Sequence, residues 1–166
     1  HVDWHGSFER YKADKARVYE HTQVACIFNT DHVDTLRMVE NADVIEGARA
    51  IGFSSTEMPA VSMLGLAEDI MVDRAFLKNR YNEAYELAVL EDLAPAPGKM
   101  PAKHTVENAL AAAALCRAAD IDPKAVGAGL RSFKTGAHRN QLVGYANDIM
   151  WVNDSKATNP HAANAS

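Results

Sequence analysis

Residues 23–53, QVACIFNTDHVDTLRMVENADVIEGARAIGF, contain the pattern that decides the fold class. The apolar run at 23–29 predicts a strand buried on both faces, and the run at 48–53 predicts a second strand. Residues 31–40 between them predict a short helix. Strands that alternate with helices indicate an α/β fold with a mostly parallel sheet flanked by helices.

The rest of the chain continues this alternation. Alanine-rich residues 104–119 favour a long helix most strongly, and Asn147-Asp148 is typical of a hairpin turn. The remaining predicted elements are a helix at 7–20 with Ser7 as its N-cap, paired strands at 69–77 and 85–91, a helix at 122–133 and a hairpin at 140–153.

Length and composition exclude several classes of protein. The chain has 166 residues, of which 48% are apolar and 23% charged, as in an ordinary globular domain. No apolar run reaches the ~20 residues of a membrane helix, so we expect no membrane insertion. A net charge of −5 disfavours a nucleic-acid partner, although a local basic pocket could still hold phosphate.

Cys26 and Cys116 both lie in apolar runs. We interpret them as small buried side chains in a protein of a reducing compartment, and therefore expect a cytoplasmic protein without a disulfide. The chain starts without Met and ends at Asn159-Pro160 and a few further residues, which resemble the start of a helix. These ends suggest a segment of a longer protein.

The first candidate site is a polar cluster near the start of the chain, formed by His1, Asp3, His5 and Lys15. His and Asp are plausible metal ligands, although a polar loop before a helix has the same composition. Lys15 falls within the apolar stripe of the predicted helix, so its amine either extends to solvent or loses its proton by desolvation. A neutral amine can add CO2, and the resulting carbamate suits a hard cation.

Two further candidate sites lie in the second half of the chain. His104 and Asn108 are four residues apart on one helix face, and an Asn amide suits the edge of an adenine ring. His138-Arg139 and the turn at 153–159, NDSKATN, supply cations for phosphate oxygens and an Asp for ribose hydroxyls. The alternatives are a polar pair at a helix start and a solvated turn.

Four motifs resemble those of the Mur ligases. Residues 1–15, HVDWHGSFERYKADK, resemble the family's DHLDxHGSxExYxxxK stretch from its His onward, and residues 104–112 resemble its HNxxNxLAA motif. Ala137-His138-Arg139 resembles the family's HR pair. The turn at 153–159 is similar to the DSKATN signature of the branch that adds D-glutamate to UDP-N-acetylmuramoyl-L-alanine. The resemblance covers essentially the whole chain.

This resemblance implies part of a monomeric, three-domain, ATP-dependent ligase of peptidoglycan synthesis. Residues 1–136 would form the C-terminal part of the central ATP-binding domain, and residues 137–166 the beginning of a Rossmann-like C-terminal domain. In the family, ATP phosphorylates a substrate carboxylate, and the amine of D-glutamate then attacks the acyl phosphate. The GxxGK[ST] phosphate loop is not in this sequence and would lie upstream, so the 166 residues alone should be inactive.

The resemblance also assigns individual roles. His1 would bind Mg2+, carbamylated Lys15 would position that ion, Asn108 would contact adenine, Arg139 and Lys156 phosphate, Asp154 ribose, and Thr158 D-glutamate. Lys15 and Lys156 are the residues assigned to catalysis. Thr105 replaces the first Asn of HNxxN, so only a hydroxyl is available there to substitute for part of one nucleotide contact of the family.

Two other functions remain open from the sequence. Thr105 and the absent phosphate loop would also suit a non-catalytic, nucleotide-binding module that kept the Mur fold. Another amide ligase of the superfamily, of the folylpolyglutamate or cyanophycin type, is the third interpretation. The DSKAT turn at 154–158 argues against it.

Overall fold

A computed structural model describes residues 2–134 and 136–157. The α-helices are α1 (Val2–His5), α2 (Phe8–Ala16), α3 (Val33–Glu40), α4 (Lys103–Ala118) and α5 (Pro123–Ser132). The strands are β1 (Ala25–Asn29), β2 (Arg49–Phe53), β3 (Met63–Ala67), β4 (Ile70–Asp73), β5 (Tyr85–Val89), β6 (Gln141–Ala146) and β7 (Ile149–Asn153). Short 3-10 turns follow α2 and β5 at Arg17–Tyr19 and Leu90–Leu93.

The first five strands form one mixed sheet in the order β1-β2-β3-β4-β5. β1, α3 and β2 make the predicted strand–helix–strand unit, with β1 and β2 parallel in register from Ala25 opposite Arg49 to Asn29 opposite Phe53. β3 pairs parallel with β2, whereas β4 pairs antiparallel with both β3 and β5. The α/β class and the β4–β5 pairing are therefore confirmed, but the sheet is parallel only in its first half.

Two details of the sheet differ from the sequence prediction. β1 is not buried on both faces: Cys26 and Phe28 are buried, while its other residues are half-buried. Buried and half-buried residues alternate along β1, so only one of its faces is turned fully to the core. β3 is not among the predicted strands, because Gly65 interrupts its short apolar run. A Cβ at Gly65 would lie 3.1 Å from the Pro59 side chain, so a larger residue would force the neighbouring segment to shift by a few tenths of an ångström.

The core lies between the sheet and helices α4 and α5. Ile51, Leu64, Met71 and Leu87 from the strands and Leu110 from α4 are almost completely excluded from solvent. The buried face of α4 also carries small alanines, which let the helix approach the sheet closely. Burial of this apolar surface holds α4 and α5 in place and so fixes their exposed faces.

A buried ion pair joins β4 to α4. The Nε of Arg117 donates to Oδ2 of Asp73 at 2.9 Å, and the Asp73 side chain is fully buried. Oδ1 of Asp73 accepts the backbone N–H groups of Ala75 at 2.7 Å and Phe76 at 2.9 Å. These hydrogen bonds make burial of the carboxylate possible, because an unpaired charge in that position would be strongly unfavourable.

The predicted hairpin is also confirmed. β6 and β7 pair antiparallel, and Asn147 and Asp148 at the turn have φ angles of 50° and 60°. Two left-handed residues in succession match the twist of the flanking strands, and Asn and Asp tolerate that conformation. The hairpin carries exposed apolar side chains on both strands, including Val143 and Trp151. Among the described residues, no helix combines the length and the apolar character needed to cross a bilayer.

Candidate functional site

A cleft of about 910 Å³ lies between α4, α5 and the segments on either side of the β6–β7 hairpin. Its polar lining comes from the first turns of α4 and from the two hairpin-flanking segments: His104, Thr105, Asn108, Arg139, Asn140, Asp154 and Lys156. Later turns of α4, together with α5, add an apolar lining that includes Ala112, Ile121, Gly129 and Phe133. A cleft with an apolar wall and a few convergent polar groups suits a small-molecule ligand.

The helical repeat explains the contribution of α4. His104, Thr105 and Asn108 lie at positions i, i+1 and i+4, so they share the face that is turned toward the cleft. Val106 and Leu110 lie on the opposite face and are buried in the core. The packing of α4 on the sheet therefore determines where the Asn108 amide is presented.

Hydrogen bonds between the two hairpin-flanking segments form the other wall. The backbone N–H of Lys156 donates to the carbonyl of His138 at 3.1 Å, and Nδ2 of Asn153 lies 3.0 Å from Nδ1 of His138. The backbone N–H of Asn140 donates to Oδ1 of Asp154 at 3.1 Å. The turn after β7 is thus held against the segment before β6, which brings Asp154 and Lys156 next to Arg139.

A side-chain contact between described residues joins the two walls. Nδ2 of Asn140 lies 3.0 Å from Nε2 of His104, at the start of α4. Asn140 has a φ angle of 43°, a left-handed conformation that Asn adopts more readily than most residues. No motif noted in the sequence includes Asn140, so sequence reasoning missed this residue.

Four of the predicted site residues line this one cleft: Asn108, Arg139, Asp154 and Lys156. They come from parts of the chain that are widely separated in sequence, and the fold of α4 and of the hairpin brings them together. Two other predicted site residues, His1 and Thr158, lie outside the described residues. The seventh, Lys15, is not among the residues that line the cleft.

Of the two settings predicted for Lys15, the structure shows the one in which the side chain extends to solvent. Lys15 is exposed on α2, and its Nζ lies 5.6 Å from the centroid of the Tyr11 ring. α2 begins with the predicted Ser7 cap, whose Oγ accepts the N–H of Arg10, but no residue of this helix is buried. The apolar stripe of α2 therefore has no core to face in the described part of the chain, and the amine is not desolvated.

The N-terminal polar cluster does not form a metal centre in the described part of the chain. Nδ1 of His5 lies 2.7 Å from Oδ2 of Asp14, a residue outside the predicted cluster, and Asp3 is exposed. Between residues 2 and 157, with 135 left aside, no group of three or more His, Cys, Asp or Glu side chains is arranged to hold a metal ion. The predicted magnesium ligands His1 and Lys15 are not both described.

The cysteine prediction is half right. Cys26 is buried and Cys116 is exposed, and neither forms a disulfide. Cys116 differs because it lies on the side of α4 that lines the cleft. The apolar run around it predicts burial only if the whole helix is surrounded, whereas α4 packs against the sheet on one side only.

A second group of polar residues near α4 is held together by hydrogen bonds to Asp31. This group was not predicted from the sequence. Asp31 follows β1, and its carboxylate accepts hydrogen bonds from Ser54 Oγ at 2.6 Å, Thr56 Oγ1 at 2.8 Å and Ser55 N–H at 3.1 Å. Ser55 Oγ also approaches Oε1 of Glu107, on α4, at 3.4 Å. Burial raises the pKa of Asp31, but these hydrogen bonds outweigh it and leave the pKa lowered.

This lowered pKa predicts a pH-dependent contribution to stability. Because the pKa of Asp31 in the folded protein lies below its ordinary value of 3.8, the stabilisation is present above that pH and is lost as pH falls through the folded value. We expect Asp31→Asn to lower the free energy of unfolding by about 1 kcal/mol at pH 7. In urea titrations, the difference in free energy of unfolding between parent and variant should become smaller below pH 3.8. A difference that is constant from pH 7 to pH 3 would contradict this role.

Known proteins resemble this chain along its whole length. It is 51% identical over all 166 residues to a UDP-N-acetylmuramoylalanine–D-glutamate ligase of Leifsonia xyli subsp. xyli, covering 32% of that protein. Proteins of the same name from Streptomyces avermitilis and Tropheryma whipplei are 49% and 40% identical, and the chain covers 34% of each. Over its whole length, the chain is therefore similar to one part of these ligases. No protein-family model matches it.

The chain spans about a third of the length of the curated Mur ligases that it matches. The resemblance stated from the motifs is therefore confirmed. In the described structure, the Mur ligase motif that begins with His104 lies on α4, the HR pair precedes β6, and the DSKAT turn begins after β7. All three contribute side chains to the same cleft.

Proposed function

We propose that the full-length protein carrying this chain is an ATP-dependent ligase that joins D-glutamate to UDP-N-acetylmuramoyl-L-alanine in peptidoglycan synthesis. The observation that carries this proposal is the cleft where Asn108, Arg139, Asp154 and Lys156 meet. The printed names of relatives up to 51% identical support the choice of substrates. We further propose that the protein acts as a monomer in the cytoplasm, where both cysteines stay reduced.

The cleft has the chemistry that an adenine nucleotide needs. Its apolar wall suits the faces of a base, and the Asn108 amide offers a donor and an acceptor to the base edge. The Asp154 carboxylate can accept ribose hydroxyls, while Arg139 and Lys156 supply positive charge for phosphate oxygens. ATP would supply the phosphoryl group that activates the substrate carboxylate, and Lys156 would offset charge on the transferred oxygens.

The amino-acid and metal sites rest on the resemblance. Thr158 would lie near the carboxylate of D-glutamate, whose amine would attack the acyl phosphate and release phosphate. His1 and carbamylated Lys15 would hold Mg2+, but the described residues alone provide no metal-binding cluster. The proposed division into residues 1–136 and 137–166 would place Arg139, Asp154 and Lys156 on the second domain and Asn108 on the first.

For Lys15, we expect Lys15→Ala to remove most ligase activity of the full-length protein, because the carbamate would lose its carrier. Added short carboxylates should restore part of the activity, since they can replace the carbamate oxygens. Initial rates with and without acetate measure the effect. Neighbouring Lys12 pairs with Asp34 at 3.1 Å and serves as a matched control, with Lys12→Ala near parental activity. Full activity of Lys15→Ala would contradict the proposed role of a Lys15 carbamate in the reaction.

Phosphate release by the full-length protein tests the function. Release should require ATP, UDP-N-acetylmuramoyl-L-alanine and D-glutamate together. Equal rates with L-lysine or diaminopimelate in place of D-glutamate would contradict the amino-acid assignment. Calorimetry with Mg·ADP separates the alternative of a non-catalytic module, for which nucleotide binds but no substrate combination releases phosphate.

A further inference from the structure

Asn140 contacts residues on both walls of the cleft. Its backbone N–H donates to Oδ1 of Asp154, and its side-chain amide contacts His104 on α4. We propose that Asn140 is a positioning residue for nucleotide binding, holding the Asp154 carboxylate and the α4 wall at a fixed separation. This inference rests on the proposed function, because it assumes that a nucleotide occupies the cleft.

The backbone of Asn140 orients Asp154. The 3.1 Å hydrogen bond from its N–H fixes one carboxylate oxygen, and an N–H bonded to a carboxylate is a strong, charge-assisted donor. Asn140 presents this N–H while its φ angle is 43°, in the left-handed region. A residue with a branched side chain would be strained there, whereas Asn and Gly are tolerated.

The side chain of Asn140 sets the distance to α4. Nδ2 of Asn140 lies 3.0 Å from Nε2 of His104, a hydrogen-bonding distance between the two side chains. His104 precedes Asn108 by one helical turn on the same face. The amide proposed to contact adenine and the carboxylate proposed to contact ribose are therefore connected through one residue. Because both Asn140 and His104 are half-buried, water competes only partly for this hydrogen bond.

A double-mutant cycle in the full-length ligase tests this role. Asn140→Gly keeps the left-handed backbone and its N–H but removes the amide, and His104→Ala removes the partner. We expect each variant to raise the KM for ATP and the Kd for Mg·ADP about five- to tenfold. The double variant should lose little more nucleotide affinity than either single variant, because both substitutions remove the same hydrogen bond. The kcat and the KM for D-glutamate should stay within about twofold of the parent, a split that general destabilisation would not produce.

Two further variants separate contact from backbone strain. Asn140→Ser cannot span the distance to His104, so it should lose as much nucleotide affinity as Asn140→Gly. Asn147→Gly is the matched control: Asn147 has a φ angle of 50° at the turn of the β6–β7 hairpin but does not line the cleft. Its nucleotide affinity should equal that of the parent. Thermal unfolding midpoints of all variants verify that they are folded.

Nucleotide affinity within twofold of the parent in Asn140→Gly, or additive losses in the double variant, would overturn the inference. Either result leaves the proposed function intact if the parent still releases phosphate in response to D-glutamate. A parent that binds no Mg·ADP would instead overturn the proposed function and this inference with it. These outcomes are distinguishable because the parent is measured first, in the same assays.

Discussion

Replacing Lys156 with Ala is expected to lower the kcat of the full-length ligase by about 100- to 1,000-fold. Lys156 lines the cleft, and its backbone N–H is bonded to the carbonyl of His138, so its position is fixed by the segment before β6. In the proposed reaction its ammonium group stabilises charge on phosphoryl oxygens at the moment of transfer. Loss of such a group affects the transition state more than the ground state, so KM for ATP should change much less than kcat.

Lys99→Ala is the control for this prediction. Nζ of Lys99 lies 5.6 Å from the ring centroid of Tyr145, a residue of the β6–β7 hairpin. Lys99 does not line the cleft. The substitution removes one positive charge from the same region, so the overall electrostatic change is similar. We expect a rate within about twofold of the parent, as for other surface substitutions. More than half of the parental kcat in Lys156→Ala would contradict the assignment of Lys156 to catalysis.

Removing the buried carboxylate of Asp73 is expected to destabilise the fold by about 3–5 kcal/mol. Asp73→Ala would leave Arg117, whose side chain is only 10% exposed, without its 2.9 Å partner. It would also leave the N–H groups of Ala75 and Phe76 without an acceptor. Urea unfolding at pH 7 measures the loss, and the midpoint should fall without a change in slope.

An exposed ion pair provides the comparison. Lys12 and Asp34 lie 3.1 Å apart, with side chains that are 34% and 43% exposed. Asp34→Ala should therefore cost no more than about 1 kcal/mol. Replacing both buried partners, in Asp73→Leu with Arg117→Met, should recover part of the loss, because no unpaired charge is then buried. Equal losses in Asp73→Ala and Asp34→Ala would show that the buried pair does not hold α4 against β4.

Local signals predicted most of the elements. The alternation of β1, α3 and β2 followed from apolar runs and their spacing, and the left-handed Asn147-Asp148 pair determined the hairpin turn. β3 was not predicted, because tertiary contacts determine this strand and its local sequence pattern does not. Gly65 weakens the strand pattern locally, whereas in the fold it allows the close approach of Pro59. The antiparallel half of the sheet likewise depends on which strands become neighbours, which a run of apolar residues does not specify.

The positions of site residues could be predicted where motif residues share one helix or strand. They could not be predicted where tertiary contacts determine the position of a residue. Asn108 could be placed on the polar face of α4 from its spacing to His104. The sequence left two settings open for Lys15, because a helical apolar stripe buries a lysine only if something packs on it, and no residue of α2 is buried. Asn140 was missed because its importance depends on one contact across 36 residues of sequence.

Photoaffinity labelling with 8-azido-ADP and Mg2+ tests most directly whether this cleft binds the nucleotide. In the full-length protein, mass spectrometry of the labelled peptides should place the base on the α4 segment that contains Asn108, with excess ADP abolishing the label. Asn108→Leu should reduce the labelling strongly while the protein stays folded. Saturable, ADP-protected labelling confined to peptides outside α4, α5 and the hairpin-flanking segments would contradict the account.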